Sequence, residues 1–324
     1  MKKIWIAWED HRRTKELASH FDISLFILKS ELPRIVKHPL FLVRTLLLLL
    51  RNEPDILFVQ NPSIVLAIFC CIVKPFFKFR LVVDLHNAAV VPESGLQRKI
   101  YFLYKYVHRT SDVNIVTNST LQNLVFSNGG VALILPDKLP TFTQDFSRPQ
   151  IVNHIPEYLV AICTFGVDEP FNEIIEAGRL AGDDVTIIMT GNHKKCSDEI
   201  KKNLPDNVFL CGYLPEKSYI NLLYYSKGVI DLTTRDNCLV CGAYESVALG
   251  KPLVLSDTRA LKHYFTGGGV FCDNTTISIR DAIISILKNN DLYLEQVREL
   301  RQRIEEKWCE YEQIIISSLP IRVR

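Results

Sequence analysis

The chain has 324 residues, long enough for two domains that each bury a core of their own. Its 48% hydrophobic and 23% charged residues describe a globular protein, and a formal net charge of +2 excludes nucleic-acid binding driven by bulk positive charge. Nine scattered cysteines, an odd number with Cys70 and Cys71 adjacent, point to a reducing compartment and away from a disulfide framework.

In chain order, Lys2 and Lys3 precede the short strand IWIAW and the charged run Glu9 to Arg13. That is not the long apolar region and small-residue cleavage site of a secretory signal. The longest uncharged apolar runs, 39–43 with 45–50 and 63–73, fall short of the roughly 20 residues that span a bilayer. A cytoplasmic chain that does not cross the membrane is expected.

Short apolar strands then alternate with longer helical segments. A helix from about Thr14 leads to SLFIL, a helix through Leu50 to DILFVQ, and a helix through Val73 to RLVVDLH. A helix around Leu96 to His108 precedes the strands VNIVTN and VALIL, and the stretch Pro136 to Pro156 has little periodicity and reads as a crossover. The second half repeats the rhythm. YLVAICTF, a helix from Glu169 to Leu180, VTIIMTG, a helix around Cys196 to Leu204, VFLCGYL and a helix over Tyr219 to Ser226 lead to VIDLTT. PLVLS and GGVFC follow, and amphipathic helices over Ile277 to Lys288 and Leu292 to Ile316 close the chain. Such alternation predicts parallel sheets with helices on both faces.

The stretch Asp231 to Asp257 condenses one βαβ unit with an acid, Glu245, on its helix. It resembles the donor-site signature of glycosyltransferases of the GT-B architecture, in which a Glu, seven residues and a second Glu precede Ala-x-Gly-x-Pro. Glu245 and Gly250-Lys251-Pro252 match. At the leading acid stands Asn237, with Asp236 beside it. The resemblance implies that Glu245 takes the ribose hydroxyls, which a carboxylate can accept in pairs, and that Asp236 or Asn237 faces the transferred sugar. It also implies an α/β chain of two doubly wound Rossmann-like domains facing across a cleft. Residues 1–145 would form the acceptor side and 146–324 the nucleotide-sugar side, with the last helix returning to the first domain.

Around this signature, Gly191, Asn192, Lys194 and Lys195 follow the strand VTIIM, where lysines and the amides of a following helix can hold a diphosphate. Gly166 follows the preceding strand and can let backbone amides approach a ligand, with Asp168 and Pro170 starting the next helix; the basic pair that many relatives carry there is missing. Cys238-x-x-Cys241 has no second pair or nearby His and reads as filler. No Asp-x-Asp cluster occurs, so neither metal nor other cofactor is expected beyond the nucleoside-diphosphate sugar as donor substrate.

In the first half, Asp84-Leu85-His86-Asn87 and the turn after DILFV containing Gln60 and Asn61 resemble turns of mannosyltransferases that extend chitobiosyl lipid carriers. His86 is the candidate to contact the sugar or move the acceptor's proton. Glu9, His11, Arg12 and Arg13 are acceptor-side candidates, an arginine serving a phosphate. Arg34, Lys37, His38 and Arg44 interleave with Leu40, Phe41, Leu42 and Leu46, and the run Lys74 to Arg80 repeats the mixture, which suits an anionic membrane surface.

The expectation is a metal-independent glycosyltransferase, a hexosyltransferase by resemblance. It would act on a saccharide or lipid-linked saccharide in cell-surface polysaccharide assembly, as a cytoplasmic or peripheral membrane protein. The alternatives are an inactive scaffold of the same fold and a nucleotide-sugar epimerase.

Overall fold

The computed structural model describes residues 1–61, 63–92 and 94–319. Its described residues divide into two compact units, one of residues 1–137 together with 308–319, the other of residues 138–307.

The first unit comprises β1 (Lys3–Ala7), α1 (Arg12–His20), β2 (Ser24–Ile27), α2 (Arg34–Asn52), β3 (Ile56–Asn61), α3 (Ile64–Phe77), β4 (Arg80–Leu85), α4 (Asn87–Val90), α5 (Gly95–Lys99), α6 (Tyr101–Thr110), β5 (Val113–Val116), α7 (Ser119–Ser127) and β6 (Ala132–Ile134). Its six strands pair in parallel in the order β2-β1-β3-β4-β5-β6. Because strand side chains alternate, Ile4, Ile6, Leu57, Val59, Leu81 and Val83 meet α2, α3, α6 and α7 on one face. Trp5, Phe58 and Val82 meet α1 on the other, with Trp5 stacked on Phe58 at 5.3 Å.

Two local expectations change. The helix read over 96–108 is two helices meeting at Ile100. Residues 119–127 form a helix where the sequence predicts none; its inward side is short, Leu121 and Val125 with Leu124 partly buried beside them. Asn118 starts it by accepting the Leu121 amide at 3.1 Å.

The second unit comprises β7 (Leu159–Ala161), α8 (Phe171–Ala181), β8 (Ile187–Thr190), α9 (Asp198–Lys202), β9 (Val208–Gly212), α10 (Glu216–Tyr225), β10 (Gly228–Asp231), α11 (Cys241–Ala248), β11 (Leu253–Ser256), α12 (Arg259–Tyr264), β12 (Gly269–Cys272), α13 (Thr276–Lys288) and α14 (Asn290–Ser318). Its strands lie in the order β12-β11-β10-β7-β8-β9, all parallel. The chain starts mid-sheet at β7, runs out to β9 and returns to β10 on the other side of β7. The β7/β10 boundary is therefore the topological switch point, where loops at the carboxyl ends diverge.

Helices α8 and α13 cover one face of this sheet, while α10, α11 and α12 cover the other. From Trp308 onward α14 belongs to the first unit, where Trp308 and Ile315 join the cluster around Trp5 and Phe58. Among the described residues no helix is long and apolar enough to cross a membrane.

Candidate functional site

The loops at the switch point of the second unit are tied to one another by side chains. Asp168, after β7, accepts from Thr233 Oγ1 at 3.3 Å and pairs with Arg235 Nε at 3.2 Å, while its carbonyl accepts the Thr234 amide at 2.7 Å. Glu169 closes the turn before it, accepting from the Thr164 amide at 2.8 Å and the Gly166 amide at 3.0 Å. The amide of Gly166 is thus already engaged, which corrects the expectation that it approaches a ligand.

The turn after β8 is drawn tightly against β7. Gly191 has φ +101°, and a Cβ there would lie 1.7 Å from the Cys163 carbonyl oxygen, so only glycine fits. The amides of Gly191, His193, Lys194 and Lys195 donate within the protein, to Gly212, Gly191, the Asn192 side chain and the Asn192 carbonyl.

The expected helix over 196–204 is a 3₁₀ turn at His193–Lys195 followed by the five-residue α9. Ser197 caps α9 and acids Asp198 and Glu199 occupy its first turn. The amides of Gly191, His193, Lys194 and Lys195 are therefore occupied, and the cationic contribution of this turn rests on the lysine side chains. Lys194 is exposed, and Lys195 Nζ reaches back to the Thr164 carbonyl at 2.8 Å, joining the β7 and β8 loops.

Beside them, the loop after β10 carries Asp236 and Asn237. Asp236 accepts the Arg259 amide at 3.3 Å, which ties this loop to the start of α12. Asn237 is half-buried in the same loop. Glu245 lies on α11 and accepts a hydrogen bond from the Tyr219 hydroxyl of α10 at 2.6 Å. Burial and the neighbouring Glu245 push the Tyr219 hydroxyl well above its ordinary pKa, so it stays a donor.

Beneath α11 lies Asp231, the last residue of β10. It is buried, its Oδ2 has no hydrogen-bond partner among the described residues, and the amides of Ala243 and Gly242 point at its carboxyl. A Cβ on Gly242 would come within 2.5 Å of that Oδ2, so this glycine makes the close approach possible. Burial first, then the charges of Glu245 and Glu169, raise the Asp231 pKa to about 8. The carboxyl is thus protonated at neutral pH. Sequence reasoning assigned roles to neither Asp231 nor Tyr219; the available signal was an acid closing a strand that is apolar along its length.

The first unit has its own polar cluster, gathered at the carboxyl ends of β1, β3 and β4. Arg13 donates from Nε to Asp84 at 3.1 and 3.2 Å, from Nη1 to Asp137 at 2.5 Å and from Nη2 to the Leu135 carbonyl at 2.8 Å. Only 9% of the Arg13 side chain and 1% of Asp84 remain exposed, so the charge is matched inside the protein. This corrects the expectation of Arg13 as an open phosphate binder. Arg12 is exposed and pairs with Glu16 at 2.6 Å.

His86 stands 3.7 Å from Asp84 and packs edge-on against His11 at 4.9 Å, while His11 lies 3.4 Å from Glu9. Burial lowers the His86 pKa despite Asp84, leaving a neutral imidazole able to accept a proton. Asn61 is fully buried, and among the described residues neither Oδ1 nor Nδ2 of its amide has a hydrogen-bond partner.

No family model and no curated protein matches the sequence. Solved structures do match along the whole chain. HepE of Anabaena, crystallised with UDP, aligns over 98% of this chain and 99% of its own with a TM-score of 0.75 at 14% identity. Sucrose-phosphate synthase of Thermosynechococcus elongatus aligns over 98% and 100% with a TM-score of 0.75 at 13% identity. A putative UDP-N-acetylglucosamine 2-epimerase of Listeria monocytogenes aligns over 98% and 96% with a TM-score of 0.68 at 11% identity. The chain has the GT-B fold.

Proposed function

We propose that this GT-B chain is a glycosyltransferase using a nucleoside-diphosphate sugar, of the uridine class, to glycosylate a saccharide or lipid-linked saccharide hydroxyl. The observation that carries the reading is Glu245, held by Tyr219 on the helix that follows the switch-point loop and preceding Gly250-Lys251-Pro252. The structures of HepE with UDP and with UDP-glucose support the donor class. In this reading Glu245 accepts the ribose hydroxyls, and Lys194 and Lys195 oppose the charge of the departing diphosphate. Asn237 or Asp236 faces the sugar, and His86 accepts the acceptor's proton. Lysine neutralisation makes the reaction independent of added metal, and a hexose is the proposed cargo.

A thermal-shift series with UDP, GDP, ADP and CMP tests the donor site, since a ligand that binds only the native state raises its apparent stability. UDP and UDP-glucose are expected to raise the melting temperature selectively. Glu245→Ala should weaken that response about 10- to 100-fold in ligand concentration, the loss of charge-assisted hydrogen bonds worth about 1.5–3 kcal/mol. No shift with any nucleotide would favour the scaffold reading, for which Asn237 at the leading-acid position and the missing basic pair near Gly166 are the motivating features. The epimerase reading, supported by the Listeria protein's fold, instead requires conversion of a UDP-sugar with no acceptor present.

A further inference from the structure

Helices α2, α3, α5 and α6 contain no Asp or Glu. Three of them, α2, α3 and α6, lie side by side over one face of the first sheet, with α3 in contact with both of the others. They bury Phe41, Leu49, Leu66, Cys70, Tyr104 and Val107. Their outer side is also apolar: Ile35 is 88% exposed, Val43 57%, Leu50 55%, Phe76 80% and Phe102 65%. One such side chain on a surface is ordinary, but a run of them across adjacent helices marks a contact surface. Exposed Arg34, Arg44, Arg51, Arg98 and Lys99 border it. Between α2 and the edge strand β2 runs a groove of about 410 Å³, with apolar walls from Leu25, Phe26, Leu47 and Leu48 and with Arg44 and Arg51 among its lining residues.

We propose that this outer face of the α2, α3 and α6 layer docks on an anionic lipid bilayer, its aliphatic and aromatic side chains entering the interface and its cations meeting headgroup phosphates. Charge complementarity selects the occupant. Helices without a single carboxylate, presenting bulky apolar groups among arginines, match a surface that is apolar below and negative above. The residues differ in part from those read in the sequence. Phe41 and Phe79 are buried, and Lys74 is paired with Asp112 at 2.8 Å and donates to the Thr110 carbonyl at 2.9 Å. Docking rests on this face alone and stands or falls independently of the transferase reading.

The test is co-sedimentation of the full chain with phosphatidylcholine vesicles, with and without phosphatidylglycerol, at rising salt. Wild type should bind only the anionic vesicles and release as salt rises. The Arg44→Gln/Arg51→Gln pair should lower partitioning about thirtyfold, at about 1 kcal/mol per cation near an anionic surface. Leu50→Ser/Phe76→Ser should lower it at least about tenfold with charge unchanged, since less apolar area leaves water. Both pairs lie on exposed positions, and their melting temperatures should match wild type. Failure of wild type to sediment with phosphatidylglycerol, equal binding to neutral vesicles, or unchanged binding of folded variants would each overturn the proposal. A concentration-dependent dimer without vesicle binding, lost in Leu50→Ser/Phe76→Ser, would assign the face to a second copy and overturn it as well.

Discussion

Asp231, at the carboxyl end of the interior strand β10, has its titration set by burial and by the neighbouring acids Glu245 and Glu169. With a folded-state pKa of about 8 against an ordinary 3.8, it keeps its proton in the native state while the unfolded chain releases it. The native state thus binds more protons between pH 3.8 and about 8, so stability falls as pH rises through that window and returns on acidification. Asp231→Asn removes the titrating group while keeping an oxygen for the Gly242 and Ala243 amides. Melting temperature measured across this range should be flatter in the variant; parallel profiles would show that Asp231 titrates normally. Glu245 was legible from its local pattern with Gly250, Lys251 and Pro252. Its partner Tyr219, 26 positions away, was not, because hydrogen-bond partners across helices leave no mark in local spacing.

At the scale of elements, strands were readable because buried parallel strands are short apolar runs bounded by turns. The helix α7 was not, since a side made of Leu121, Leu124 and Val125 spans little more than one turn and is too short to establish a helical period. Its start depends on the Asn118 side chain, which satisfies an amide that the helix itself leaves open. Asn118→Ala should cost about 1 kcal/mol. A urea titration should show a lower midpoint with an unchanged slope, and an unchanged midpoint would mean that packing alone holds α7. The β8 turn gives the complementary lesson. Its glycine and lysines follow β8 as the sequence order requires, yet backbone donation within the turn occupies the amides of Gly191, His193, Lys194 and Lys195, which a sequence pattern leaves unassigned.

At the scale of the molecule, each unit has a sheet with helices on both faces, and the first completes one face with the end of α14. Trp308 is buried there and donates from Nε1 to the Pro136 carbonyl at 3.1 Å. Trp308→Ala should destabilise the first unit by about 3–5 kcal/mol, the range for deleting a large buried aromatic. Hydrogen exchange should accelerate in β1 and β3 while β7 and β8 stay protected. Equal acceleration throughout would mean that the two units unfold as one.

The sequence by itself determined the doubly wound α/β architecture, through the alternation of short apolar strands with helices, and located Glu245 on its βαβ unit. These are properties of neighbours along the chain. Tertiary structure decided which charges remain available: Arg13 meets Asp84 and Asp137, residues 71 and 124 positions distant, and is neutralised by them. It also decided which apolar face of α2 is core and which is surface. A helix with apolar residues on more than one side satisfies the same periodicity either way, and only the packing of Phe41 and Leu49 onto the sheet leaves Val43 and Leu50 facing outward.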